Sequence, residues 1–144
     1  MAFVGCVSGL KAAQTKRAPR VCEVKMAWTP VTTKDEIDAA GGFTVVKTAG
    51  KKVLIKELDG QLYAVSNKCS HLGLPIEGKI LKAKFSDTCV TCAAHGSQFD
   101  IKTGEVVEWC PTIPNWAGFA KAKPAPLPTF PVRISGNGQV EIDV

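Results

Sequence analysis

Two cysteine–histidine pairs are the residues of this chain best equipped for chemistry. Cys69 and His71 lie in "NKCSHLGLP", and Cys92 and His95 lie in "CVTCAAHGSQFD". The full pattern is C-x-H-x20-C-x2-H, and it uses both histidines in the chain. Thiolate and imidazole are metal ligands. Scattered structural cysteines and lone core histidines would have no reason to pair twice, so the spacing predicts a metal site.

Two chemistries fit that site. Two cysteines and two histidines satisfy tetrahedral zinc. Three features favour an iron–sulfur centre instead. The C-x-H pair is tighter than the usual zinc knuckle. Each pair supplies one sulfur and one nitrogen, so two loops can place both cysteines on one iron and both histidines on another. Each pair is also followed by glycine, in "HLG" and "HGS". Glycine lets backbone N–H groups approach closely, as bridging sulfides need.

These loops need a frame, and the frame reads as all-β. Thr33 and Glu36 form a capping-box pattern, which predicts one short N-terminal helix over 34–40, stopped by Gly41-Gly42. The runs "FTVVKT", "KVLIKEL", "QLYAVS", "KILKAKFS", "SQFDI", "EVVEW", "FPVRIS" and "QVEIDV" read as strands. Asp59-Gly60, Lys102-Thr103-Gly104 and Gly136-Asn137-Gly138 read as hairpin turns. Short strands with such punctuation predict an antiparallel sandwich or barrel. Both Cys–His pairs fall at turns. The stretch 110–128 holds five prolines and reads as a long loop.

The 144 residues suit one domain. The net charge of +5 invites a nucleic-acid reading, but residues 1–27 carry +4 of it and the remainder +1. A folded part so nearly neutral argues against nucleic acid as a partner. The basic, acid-poor head at 1–27 has the traits of a transit peptide, expected to be removed near Met26-Ala27 and to take Cys6 and Cys22 with it. Cys89 and Cys110 read as free thiols, with one bridge between them as the alternative. No run approaches 18 apolar residues, so no membrane span is expected. Lys79, Lys82 and Lys84 read as a solvated face or as a docking patch for an acidic partner. Trp109, Trp116 and Phe119 read as a second small core over residues 110–123, or as an exposed partner surface.

From about Phe43 to Val144 the chain resembles the Rieske 2Fe–2S proteins. "CSHLG" matches their first box and "CAAHGSQFD" their second. The tail "KPAPLPTFPVRISGNGQVEIDV" is similar to their proline loop and closing hairpin. The resemblance implies a Rieske-type β sandwich with a cluster-binding subdomain of two loops, spanning 28–144, and one 2Fe–2S cluster. It implies Cys69 and Cys92 on one iron and His71 and His95 on the other. It also implies a hydrogen bond from Ser97 to the cluster, while Phe99 has no hydroxyl to give a second. The spacer of 20 residues and an insertion at 110–123 depart from the family pattern without removing a ligand.

Membrane-anchored relatives carry a disulfide between the boxes, where this chain has Leu74 and Ala94. Oxygenase relatives append a catalytic domain, for which a chain ending at Val144 leaves no room. The expectation is therefore a soluble ferredoxin-type one-electron carrier with no catalytic site of its own. Its partners would be a reductase and an acceptor, reached through exposed histidine edges. The opening "MAFV" resembles plastid transit peptides of red algae, which implies a plastid, in the stroma or at the thylakoid surface. A thylakoid-associated regulatory protein and a non-redox zinc module are the alternatives.

Overall fold

The computed structural model describes residues 27–144. The proposed head, its cleavage point and Cys6 and Cys22 lie outside these, apart from Ala27. The chain order is β1 (Trp28–Thr33), α1 (Lys34–Ala39), β2 (Phe43–Thr48), β3 (Lys51–Leu58), β4 (Gln61–Ser66), β5 (Lys84–Ser86), β6 (Cys89–Thr91), β7 (Gln98–Asp100), β8 (Val106–Glu108), a kinked 3-10 helix (Asn115–Lys121), β9 (Thr129–Phe130), β10 (Val132–Ile134) and β11 (Gln139–Asp143). Three antiparallel sheets result, ordered β1-β11-β10, β2-β3-β4-β9 and β5-β6-β7-β8.

The middle sheet is covered on both faces. Val53 and Ile55 of β3 pack with Ile37, Ala64, Val140 and Ile142 against the first sheet. Leu54, pointing the other way, packs with Val65, Val90, Phe99, Ile101 and Leu127. Successive residues of a strand face opposite sides. A strand buried on both sides therefore reads as an unbroken apolar run, as Val53-Leu54-Ile55 does. The second of these cores also receives Cys69 and Cys92, so the two Cys–His loops are rooted in it.

The expected turns are in place. Leu58 pairs with Gln61 across Asp59-Gly60, Phe99 with Val106 across the second turn, and Ile134 with Val140 across the third. The capping box at α1 is complete, with Glu36 N–H on Thr33 Oγ1 and Thr33 N–H on the Glu36 carboxylate.

Three readings need correction. "KILKAKFS" is strand only at Lys84–Ser86. Gly78 N–H bonds Leu81 O, and the Glu77 carboxylate accepts from Ala83 N–H and Lys82, so this stretch turns back on itself. β1 was not foreseen. It carries Pro30 at a sheet edge beside a register shift, where a missing N–H is tolerated. β6 was hidden because Cys89-Val90-Thr91 is a three-residue strand with no room to show alternation.

Candidate metal centre

The two Cys–His loops have one geometry. Cys69 N–H bonds Leu74 O at 2.8 Å, and Gly73 N–H bonds Cys69 O at 2.8 Å. Cys92 N–H bonds Ser97 O at 2.9 Å, and Gly96 N–H bonds Cys92 O at 2.9 Å. Each loop is thus closed from its cysteine to the fifth residue on. Each places glycine at the fourth residue on, with φ of +72° at Gly73 and +76° at Gly96. Left-handed backbone favours glycine there. The histidine falls at the second position after cysteine in one loop and at the third in the other, which accounts for the unequal spacing.

The roots of the loops are fixed by buried polar groups. Asn67, 2 % exposed, gives its amide N–H to Glu77 O at 2.7 Å and takes Glu77 N–H at 2.8 Å, stapling the first loop across its base. Ser70 Oγ donates to Ala125 O, and Leu127 N–H bonds Gly104 O, which holds the proline segment beside the same loop.

The four expected ligand residues come together as two pairs. His71 Nδ1 and His95 Nδ1 face each other at 3.2 Å, with the rings perpendicular. Two ligands on one first-row metal ion, with metal–nitrogen bonds of about 2.0–2.1 Å at a tetrahedral angle, lie about 3.3–3.4 Å apart. The tautomer of His71 follows from its other nitrogen. Nε2 lies 2.8 Å from the carbonyl oxygen of Ala120, which can accept only. Nε2 therefore bears the proton, and Nδ1 of the neutral ring offers its lone pair toward His95.

Cys69 and Cys92 are both buried. The hydrogen bond from Cys69 to Cys92 raises the first thiol, with burial acting the same way, and lowers the second. Backbone N–H groups of Ala94 and His95 also favour the Cys92 thiolate, the ligating form.

Among the described residues, no three His, Cys, Asp or Glu side chains gather around one point. A sulfur pair and a nitrogen pair fit a binuclear centre.

Ser97 is fully buried, and its surroundings were not anticipated. Cys110 N–H donates to Ser97 Oγ at 3.2 Å, and Cys110 Sγ lies 3.2 Å from the same oxygen. Cys110 is also fully buried, with φ of +45°. The cysteines at 89 and 110 are free thiols, as expected.

The insertion divides. Trp109 joins the core, edge-on to His71 (5.5 Å between ring centres) and to Phe99 (6.3 Å), and its Nε1–H bonds Lys121 O at 2.7 Å. Trp116 and Phe119 close no second core, being 83 % and 87 % exposed. Pro111 packs against Gly96, and Thr112 Oγ1 bonds His95 O at 3.0 Å. The insertion is thus tied to both histidine loops, and the outer nitrogen of His71 is hydrogen-bonded to it.

The family model for the Rieske [2Fe-2S] domain matches residues 27–131. Sulredoxin of Sulfurisphaera tokodaii is 34 % identical over 99 residues, 69 % of this chain and 83 % of that protein. The ferredoxin component of the naphthalene 1,2-dioxygenase system of Pseudomonas aeruginosa is 27 % identical over 99 residues, 69 % of this chain and 79 % of that protein. The terminal oxygenase of carbazole 1,9a-dioxygenase from Novosphingobium sp. KA1 superposes with a TM-score of 0.65 at 28 % identity, covering 81 % of this chain and 29 % of that one. Fold and site thus define an iron–sulfur domain. The chain belongs to the Rieske [2Fe-2S] family and takes one Rieske-type cluster. It spans less than a third of the carbazole oxygenase chain. Among the described residues no helix is long and apolar enough to cross a membrane.

Proposed function

We propose that this protein is a soluble one-electron carrier of the Rieske ferredoxin type. Cys69 and Cys92 bind one iron through sulfur, and His71 and His95 bind the other through Nδ1. The observation that carries this reading is the inward pairing of the two Nδ1 atoms at the head of loops whose cysteines, Cys69 and Cys92, are both buried in one core. The bound cluster supplies one-electron oxidation and reduction. Sulfur and nitrogen ligation in this mixture sets a potential above that of all-thiolate plant-type ferredoxins. The chain's own residues do the rest. Ala120 O fixes the tautomer of His71, and the buried loop roots keep the ligands in place. Similarity to dioxygenase ferredoxin components supports carriage over catalysis. A reductase and an acceptor protein are the partners this implies.

The site of action we propose is a plastid, in the stroma or at the thylakoid surface. The basic head at 1–27 supports this, and the family match starts at residue 27. Native protein with Met1 intact would overturn the processing.

The test of the carrier reading is anaerobic purification with metal and sulfide analysis and electron paramagnetic resonance. About two irons and two sulfides per chain, and a rhombic signal on reduction, are expected. His71→Ala abolishes the signal, and His95→Cys changes or abolishes it. A colourless zinc protein, or unaltered spectra in both variants, would overturn the assignment.

A further inference from the structure

The net charge of +1 on residues 28–144 conceals a strong asymmetry. Lys47 and Lys52 are direct partners in the β2–β3 ladder. Like charges set opposite each other destabilise a sheet. Lys51 follows Gly50 in the adjoining turn, and Lys51, Lys52 and Lys68 border one groove with Asn67. The neighbouring groove is bordered by Lys47, Lys52, Lys79 and Lys82. Its one carboxylate, Glu77, is already taken by Lys82 at 2.8 Å and Ala83 N–H at 2.7 Å. Among the described residues, Lys47, Lys51, Lys52, Lys68 and Lys79 have no carboxylate partner. Lys51 lies over the Phe130 ring instead, at 5.6 Å.

This lysine field sits at the metal end of the fold. Asn67 N–H bonds Lys52 O, and Lys68 immediately precedes the ligand Cys69. Lys68 and Gly73 also border a third groove, shared with Cys69 and the exposed Leu72. The basic surface is therefore continuous with the first metal loop. At the far end of β3, about 25 Å away along the strand, Asp59 and Lys102 pair with each other. Charges left uncompensated at one end create a field that a net charge does not report.

We infer that the two adjoining grooves bordered by Lys47, Lys51, Lys52, Lys68 and Lys79 form the docking surface for an acidic redox protein. The partner's redox role rests on the carrier reading above; the acidic docking rests on the grooves themselves. Concave, lysine-bordered grooves suit carboxylates that project from a protein better than they suit a flat bilayer. Docking there brings the partner against the Cys69–His71 loop, with Leu72 at the margin of the contact. Such rim charges act mainly on encounter and its salt dependence.

The experiment measures binding of an acidic plant-type ferredoxin to the full-length holoprotein by surface plasmon resonance, both proteins oxidised so that no electron moves. Binding is expected at low salt and should weaken steeply toward about 0.5 M. K47E/K52E should weaken it about tenfold or more, K47Q/K52Q about threefold, and K102E less than about twofold. The visible spectrum of each variant verifies a loaded, folded protein. Absent or salt-insensitive binding, or equal loss in K102E, overturns the inference. So does lysine-dependent binding to phosphatidylglycerol vesicles as tight as that to the ferredoxin, which would make the surface a membrane contact. Reduction of the cluster by dithionite, measured separately, tests the carrier reading without touching this one.

Discussion

His71 donates its Nε2 proton to the carbonyl oxygen of Ala120 at 2.8 Å, so a proposed ligand of the cluster is hydrogen-bonded to the inserted segment. The next carbonyl, Lys121 O, is held by the indole of Trp109 at 2.7 Å. Two successive carbonyls thus fasten the 3-10 helix over the first loop. An outer hydrogen bond of this kind orients a ligating histidine and strengthens it as a base. His71 and His95 are half-buried while Cys69 and Cys92 are buried, so the histidine side is the more exposed, as expected, with the outer nitrogen of His71 bonded to the insertion.

Trp109→Phe tests the fastening. The ring contacts with His71 and Phe99 remain, and one hydrogen bond is lost. The expected cost is about 0.5–1.5 kcal/mol. Hydrogen exchange at residues 117–121 should accelerate while the cluster stays bound. Unchanged exchange there would mean that the helix is held by other contacts.

Ser97→Ala separates two roles of one hydroxyl. The serine accepts from Cys110 N–H in a fully buried setting. Alanine leaves that N–H without a partner, which costs about 1–3 kcal/mol by denaturant titration. If the serine's own proton points to the cluster, the midpoint potential also falls, because a donor favours the more negative reduced state. Film voltammetry reads that fall. Lost stability with an unmoved potential would show that the proton goes to Cys110 Sγ instead.

The frame, and the residues that the two loops bring together, were legible for a physical reason. Cys69, His71, Cys92 and His95 are chemically distinctive, and Asp59-Gly60 or Gly136-Asn137-Gly138 has few conformations to choose from. What stayed hidden depends on backbone or on distant pairing. Ala120 acts through a carbonyl, which no residue type reveals. The partnership of Ser97 with Cys110 joins positions 13 apart through a turn that gives Cys110 a positive φ. Cross-strand facing of Lys47 and Lys52 requires the register, although the Ala49-Gly50 turn contained the information needed to derive it. "KILKAKFS" misled because alternation alone does not show that Glu77 folds the stretch back.

Gly104 and Gly73 share a left-handed backbone, with φ of +77° and +72°, yet they should differ sharply on substitution. A Cβ at Gly73 would lie 2.7 Å from Lys68 Cε, the flexible part of an exposed side chain that can swing away. A Cβ at Gly104 would lie 2.2 Å from Leu127 O and 2.9 Å from Thr129 Cγ2. That carbonyl cannot retreat cheaply, because Leu127 is buried in the core and its N–H bonds Gly104 O at 2.8 Å. Gly73→Ala should cost about 1–2 kcal/mol, the strain of a side chain in this conformation. Gly104→Ala adds overpacking of about 1–3 kcal/mol, for a total of about 2–5 kcal/mol. The second change also pushes the proline segment, whose Ala125 O holds Ser70 next to Cys69. Urea titration of the loaded proteins should therefore rank Gly104→Ala as the less stable, with faster loss of the cluster. Equal midpoints, or a cluster retained equally well in both, would show that the segment does not brace the first loop.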